Sequence, residues 1–329
     1  MLKRVFYRKF PMQAYQVDSY DTPPTLRVIN PPVPAKGEVL LNIEACGLNF
    51  ADLLMAKGTY QDTPTPPFTL GMEVCGTVLA LGAGVSEPKI GTRVAVFGGQ
   101  GGLAQQGVFP AQLCREVPIE MSSQVAAGFQ VAYGTSHLAL TRRAKLQAGE
   151  TLLVMGAAGG VGLTAVEIGK AIGATVIAVA RGAEKLAVAT AAGADHVIDA
   201  SADITAEVRA LGGADVVYDP VGGDAFKAAM RATNREGRMI TIGFASGDVP
   251  QIPSNHLLVK NITVIGFYWG GYLQFNPTAL TDSMGELMDW YVKGRLKPHV
   301  SHVLPLEQAA DALELLRSRT STGKVVVTP

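Results

Sequence analysis

Thr151-Leu-Leu-Val-Met155, followed by Gly156-Ala-Ala-Gly-Gly-Val-Gly162 and the run on to Ala180, decides the fold of this chain. The first apolar run is short and ends on a cluster of small residues, as a buried strand ends on a turn. Val161, Ala165, Ile168 and Ile172 then recur at helical spacing, which gives one apolar stripe to lay on a sheet. A second apolar run, Thr175 to Ala180, completes a strand, turn, helix, strand unit. The whole stretch is apolar enough to suggest a membrane span, but Glu167 and Lys170 interrupt it and glycines break it, so a buried parallel unit is the better reading.

Against the spacing G-x-G-x-x-G, Gly159 and Gly162 are in register and Ala157 replaces the first glycine. Gly159 lets backbone approach a pyrophosphate, Gly162 lets the helix pack closely on the strand, and the free N–H groups of the first helical turn carry the anion. Ala158, Gly159, Gly160 and Val161 are therefore expected to cradle a dinucleotide, against the plainer reading of a strand-to-helix turn that merely needs small residues. An acidic side chain at the end of the second strand would accept from a ribose 2′-hydroxyl and repel a 2′-phosphate. That position is Ala180, and Arg181 and Lys185 follow it one helical turn apart, suited to a phosphate. The expected cofactor is NADPH over NADH; the alternative is that both cations are ordinary solvated residues.

Outward from this unit, strands and helices alternate after Val131, with strands expected near 151–155, 175–180, 196–199, 215–219, 238–243 and 262–267. This is an α/β pattern, a doubly wound parallel sheet of Rossmann type. From Gln13 to about Pro118 the chain instead shows short apolar runs such as Val39 to Ile43, Val74 to Leu79 and Arg93 to Phe97 between turn residues, which reads as a mostly β domain. Helices are expected at Pro277 to Lys293 and Leu306 to Arg317, with a last strand at Lys324 to Thr328. These are expected to return to the first domain, giving residues 12–130 plus 268–329 for one domain and 131–267 for the inserted nucleotide domain.

Two domains suit 329 residues. With 28 Lys+Arg against 28 Asp+Glu, nothing draws the chain toward nucleic acid or an anionic membrane, and a small-molecule substrate fits better. Cys46, Cys75 and Cys114 have no paired spacing, so neither a disulfide framework nor a structural zinc site is expected, and a reducing cytoplasm is. Met1 to Phe10 is basic and aromatic without the apolar core of a signal peptide, and is read as lying upstream of the native start.

The residues quoted above, with Gly47-Leu-Asn-Phe-Ala-Asp52, Gly71-Met-Glu73, Tyr133-Gly-Thr135, Ala192-Gly-Ala-Asp195 and Thr322-Gly-Lys324, give a chain that resembles the zeta-crystallin-like quinone oxidoreductases of the medium-chain dehydrogenase/reductase superfamily. The resemblance runs from Met12 to the end. It implies a GroES-like β domain interrupted by the Rossmann domain, an active site in the cleft between them, Thr135 beside the cofactor, and backbone at Gly243, Phe244, Phe267 and Tyr268 along the nicotinamide. Relatives hold a Tyr near the adenosine phosphate after the third strand, where this chain has Asp199-Ala200, so Arg181 and Lys185 are expected to matter more.

Zinc-dependent members of the superfamily take ligands from a Cys and a His at the positions of Asn49 and Met72, and neither Asn nor Met suits a zinc site. No metal is expected. His299 and His302 follow Pro298 in an expected loop and make a poor pair of ligands. Without a Lewis acid to stabilise an alkoxide, acceptors that delocalise the incoming charge are favoured, namely quinones and α,β-unsaturated carbonyls. Asn49 is expected either to donate to a substrate carbonyl, to hold the nicotinamide ribose, or simply to cap the turn before Phe50. Tyr60, in Gly58-Thr-Tyr60, is placed where related enoyl-thioester reductases keep a proton-donating Tyr, and is either a general acid or an aromatic lid. Asp52 and Glu73 are expected to orient backbone or cations.

Gly98-Gly-Gln-Gly-Gly-Leu103 is expected to be a mobile loop at the substrate cleft, with no strand before it. Tyr268, Trp269 and Tyr272 are expected to shape an aromatic pocket or a subunit contact, and the strand Ile262 to Phe267 to pair across a homodimer axis. The leading function is NADPH-dependent reduction of quinones or activated alkenes. The alternatives are an enoyl-thioester reductase and a crystallin-like or RNA-binding protein that binds NADPH with little turnover; the neutral charge gives RNA binding no support.

Overall fold

The alternating apolar runs of the first domain form antiparallel strands. The computed structural model describes residues 10–329, so the reading of the opening segment falls, apart from Phe10, outside the described residues. The first unit comprises the residues up to Gln130 together with Val300–Pro329. Its strands are β1 (Met12–Val17), β2 (Thr25–Ile29), β3 (Glu38–Gly47), β4 (Phe68–Thr69), β5 (Glu73–Leu81), β6 (Arg93–Phe97), β7 (Gln106–Pro110) and β8 (Arg115–Glu116). Strands β2, β1 and β4 make a small sheet, and β3 lies inside a larger one, between β5 and β7 and next to the closing strand of the chain. Val39, Leu40, Leu41, Ala45 and Cys46 of β3 are all buried. Cys46 is a packing residue. Its Sγ lies 2.7 Å from where a Cβ on Gly71 would stand.

The glycine loop after β6 departs from expectation. A strand does precede it, and backbone bonds hold it down: Gly98 and Gly99 N–H donate to Met72 O, Gly101 to Thr69 O, Gly102 to Gly71 O and Leu103 to Leu70 O. Leu103 is fully buried, so its apolar side chain anchors the loop.

The second unit, Val131–His299, holds β9 (Thr151–Met155), β10 (Thr175–Ala180), β11 (His196–Asp199), β12 (Ala214–Asp219), β13 (Thr233–Thr241) and β14 (Thr263–Gly266). They form one sheet in the order β11-β10-β9-β12-β13-β14 with every pairing parallel. This is the doubly wound order in which the chain reverses direction between the first and fourth strands of the sheet, here β9 and β12. Both faces are buried, as parallel sheets require. Leu153, Met155, Ile177, Val179, Val217 and Met239 pack with Phe226 and Met230 on one face, while Leu152, Val154, Val176 and Val216 are buried on the other. Of the expected stripe, Ala165 and Ile168 of the helix Gly160–Ile172 are buried and Val161 and Ile172 are half-buried, while Leu163, Val166 and Gly169 are buried as well. A Cβ at Gly169 would stand 2.6 Å from Leu152 Cδ2, which measures how closely this helix lies on β9.

One domain assignment needs correcting. The segment from Tyr268 to His299 belongs with the nucleotide unit, not with the first domain. The helix Pro277–Val292 buries Leu280, Met284, Leu287 and Trp290. Its Ser283 Oγ lies 2.8 Å from His137 Nδ1, and the Trp290 ring meets His137 edge-on at 5.3 Å. Only β15 (Val300–Pro305), the helix Ala309–Arg317 and β16 (Lys324–Thr328) return to the first unit, where β16 pairs with β3 and β15.

Candidate cofactor and active site

The nucleotide unit gathers its candidate residues at the carboxyl ends of the strands. β9 ends at Met155, and Gly156 takes φ +60° to start the turn. The tight-turn role expected of the first glycine in the fingerprint thus falls one residue before Ala157. Gly159 is the N-cap of the helix, and a Cβ on Gly162 would stand 2.2 Å from Gly156 O, so only glycine allows this approach of helix to turn. Ala158 to Val161 present the first-turn N–H groups, the arrangement that binds a pyrophosphate.

Beneath the turn lies a buried hydroxyl cluster. Ser136 Oγ is 2.8 Å from Thr164 Oγ1 and 2.9 Å from Tyr218 Oη, and it donates to Val161 O at 2.9 Å. Burial raises the Tyr218 phenol, and the Tyr stays protonated as a donor in this network. The neighbouring Thr135 is also buried, and Gly134 makes room for Trp269, whose Nε1 would lie 2.7 Å from a Cβ there.

Across the switch point, Asp219 ends β12 fully buried, and its Oδ1 accepts from the N–H groups of Val221 and Gly222 at 2.7 and 3.1 Å. Burial raises its pKa against these two bonds. The turn it holds receives the segment after β13: Ala245 N–H donates to Pro220 O and Ser246 N–H to Val221 O. Gly243 and Phe244 are thereby set beside the β12 turn, and Phe267 N–H donates to Thr241 O, which brings the end of β14 to the same edge.

At the other end of the edge, β10 pairs with β11 so that Ala180 is opposite Asp199. Arg181 is exposed and Lys185 half-buried. Asp199 Oδ1 accepts from the Ser201 hydroxyl at 2.6 Å and its N–H at 2.9 Å, while Oδ2 accepts from Gly182 N–H at 2.7 Å. These bonds, with the charge of Arg181, hold the carboxyl down at about 2.

The first unit contains a second constellation. Asn49 is the N-cap of the short helix Phe50–Met55, and its N–H donates to Asp52 Oδ2 at 2.8 Å. Asp52 Oδ1 accepts from Gly71 N–H at 3.2 Å. Lys324 Nζ, buried at the start of β16, reaches Leu48 O at 2.7 Å, Asn49 Oδ1 at 2.8 Å and Glu73 Oε1 at 2.8 Å. The Asn49 amide donates to the same Glu73 oxygen at 3.0 Å and points toward Gly47 O at 3.5 Å. Its orientation is therefore fixed from both ends. Met72, between these groups in sequence, is buried. Tyr60 is half-buried, and its carbonyl accepts from Thr63 Oγ1 at 2.7 Å.

A family model described as alcohol dehydrogenase GroES-like domain matches residues 35–119, and one described as zinc-binding dehydrogenase matches residues 160–289. A quinone oxidoreductase-like protein 2 homolog of Nematostella vectensis is 38% identical over 296 residues, 88% of this chain and 81% of that protein. The quinone oxidoreductase of Thermus thermophilus, solved also in complex with NADPH, superposes with a TM-score of 0.85 at 33% identity over 97% of this chain and 100% of that one. The Escherichia coli quinone oxidoreductase, complexed with NADPH, gives 0.87 at 29% identity over 97% of this chain and 99% of that one. The chain belongs to the quinone oxidoreductase family of the medium-chain dehydrogenase/reductase superfamily.

In this quinone oxidoreductase family member, the sequence-derived residues Ala158 to Val161, Arg181, Lys185, Gly243, Phe244, Phe267 and Tyr268 all stand at or just beyond the carboxyl edge of the sheet. Trp269 and Tyr272 are both buried, Trp269 against Gly134 and Tyr272 between Phe267 and Phe275 at 5.8 and 4.6 Å. Sequence reading missed Lys324, Asp219 and Asp199 as site-building groups. A lysine opening an apolar strand, and an aspartate before Pro220-Val-Gly-Gly223, were the available signals.

Proposed function

We propose that this protein is an NADPH-dependent, zinc-independent reductase of quinones or α,β-unsaturated carbonyls. The observation that carries the reading is the glycine turn after β9 with Arg181 and Lys185 following β10. The fit to the cofactor rests on Gly159 at the helix N-cap, where a Cβ would meet only Gly156 O at 3.4 Å, and on the two cations that follow β10. NADPH supplies a hydride when bound. Ala158 to Val161 would hold its phosphates, Thr135, Gly243, Phe244, Phe267 and Tyr268 would line the nicotinamide end, and Arg181 and Lys185 would take the 2′-phosphate.

Donor chemistry supports a metal-free site. Met72 is buried, and the Asn49 amide is committed to Lys324 and Glu73, so the positions that carry zinc ligands in dehydrogenases offer none here. Acceptors that spread negative charge onto a conjugated oxygen need less stabilisation. Asn49 acts as a positioning residue of the substrate side, and the Tyr60 phenol holds the proton that the α-carbon of an enone would receive. The assembly proposed is a cytoplasmic homodimer paired along β14, the edge strand of the sheet, near the exposed Leu258 and Val259. Among the described residues no helix is long and apolar enough to cross a membrane.

Steady-state assays with NADPH against a quinone, an enone and an enoyl thioester test the function. Turnover with the quinone or enone supports it, and preference for the thioester makes the protein an enoyl-thioester reductase. No NADPH oxidation with any of them would leave an NADPH-binding protein of little turnover.

A further inference from the structure

We propose that Asp199 is a specificity-determining residue whose carboxylate limits the preference for NADPH set by Arg181 and Lys185, so that one site admits both NADPH and NADH. The inference rests on the cofactor reading above and adds an opposing charge to it.

Ala180, the position where an NADH-specific strand would carry its acidic residue, lacks a carboxylate, but the neighbouring strand places one directly opposite it. Adjacent strands lie about 4.8 Å apart, so Asp199 is beside the β10 terminus and not remote from it. The bond from Gly182 N–H to Asp199 Oδ2 at 2.7 Å ties the carboxylate to the residue that follows Arg181. Oδ1 is filled by the two bonds from Ser201, whereas Oδ2 accepts the one from Gly182. A carboxylate oxygen has about two acceptor directions, so Oδ2 keeps one for a further donor. Asp199 is held by these bonds as an anion at neutral pH and is partly open to solvent.

Such a group acts oppositely on the two cofactors. The 2′-hydroxyl of NADH is a donor and bonds to the carboxylate. The 2′-phosphate of NADPH is a dianion that Arg181 and Lys185 attract and Asp199 repels. At a separation of one or two strand spacings in a solvated site this repulsion corresponds to roughly tenfold in relative affinity.

The test is the ratio of kcat/KM for NADPH to that for NADH, measured with one quinone at one ionic strength. Asp199→Asn and Asp199→Ser both remove the charge and keep a polar group that can bond Gly182 N–H; each is expected to raise the ratio about tenfold, by lowering the KM for NADPH and raising that for NADH. Ser201→Ala removes a bond to the carboxylate but keeps its charge, and is expected to hold the ratio within about twofold. An unchanged or lowered ratio in both Asp199 variants would overturn the proposal, as would a Ser201→Ala shift as large as theirs. Arg181→Ala tests the underlying cofactor reading separately: it is expected to lower the ratio, and an unchanged ratio there defeats the NADPH assignment whatever the Asp199 variants do.

Discussion

Lys324 and Glu73 lie 251 residues apart in sequence and form an ion pair 2.8 Å long with both side chains buried. Asn49 bonds both partners, so a charge pair joins the closing strand β16, the start of β5 and the turn before the first helix. Burying two charges costs several kcal/mol per ion before their attraction and hydrogen bonds offset it. Removing one partner is therefore far worse than removing both. Lys324→Met is expected to destabilise the protein by about 3–5 kcal/mol, whereas Lys324→Met with Glu73→Gln recovers much of that loss. Chemical denaturation of both singles and the double variant measures it, and additive losses would show that the two groups do not act as a pair.

Gly162 and Gly159 differ in why they are glycine. A Cβ at 162 would stand 2.2 Å from Gly156 O, and at 159 its nearest neighbour would be 3.4 Å away. Gly162→Ala is expected to cost about 1–3 kcal/mol, because helix or turn must move. Gly159→Ala is expected to shift the melting temperature by less than about 2 °C, as for a change well under 1 kcal/mol, while weakening NADPH binding. Thermal melts paired with cofactor titrations separate the two. Equal loss of stability would contradict the account.

Asp52 should impose a pH dependence on stability. Burial raises its carboxyl to about 7, against the opposing bonds from Asn49 and Gly71 N–H. The folded pKa lies above the unfolded value of about 3.9, so the native state holds the extra proton between those limits. Its contribution is complete below about pH 4 and is lost as pH rises through 7. Asp52→Asn should flatten the fall in stability between pH 5 and 8; denaturation midpoints across that range check it, and an unchanged slope would show that Asp52 does not carry it.

Tyr60 should matter for one acceptor class more than another. An enone needs a proton delivered to carbon, whereas a reduced quinone needs protons only on oxygen, which water supplies. Tyr60→Phe is expected to lower enone turnover about a hundredfold or more and leave quinone turnover nearly unchanged. Equal effects on both acceptors would make Tyr60 a packing residue.

The nucleotide fold was legible because buried parallel strands and their crossover helix leave short periodic signals, and β9, β10 and β11 begin and end where the apolar runs do. The helix Pro277–Val292 was legible as a helix but not as a member of the second unit, since periodicity reveals an apolar face and not the surface that covers it. The burial of Trp269 and Tyr272 was not legible either, composition being silent on burial. The Lys324 cluster depends on contacts between distant segments, and no local pattern encodes them. Asp199 was visible as a departure from relatives, yet its opposition to Ala180 came only from the β10–β11 register.

The most direct test of the central claim follows the hydride itself. NADPH deuterated at the transferring nicotinamide position is incubated with the enzyme and an enone, and the product is examined by mass spectrometry and NMR. The account predicts deuterium at the β-carbon in proportion to NADPH consumed. Consumption of NADPH with a product that carries no deuterium at that carbon, or no turnover of either enone or quinone, would contradict it.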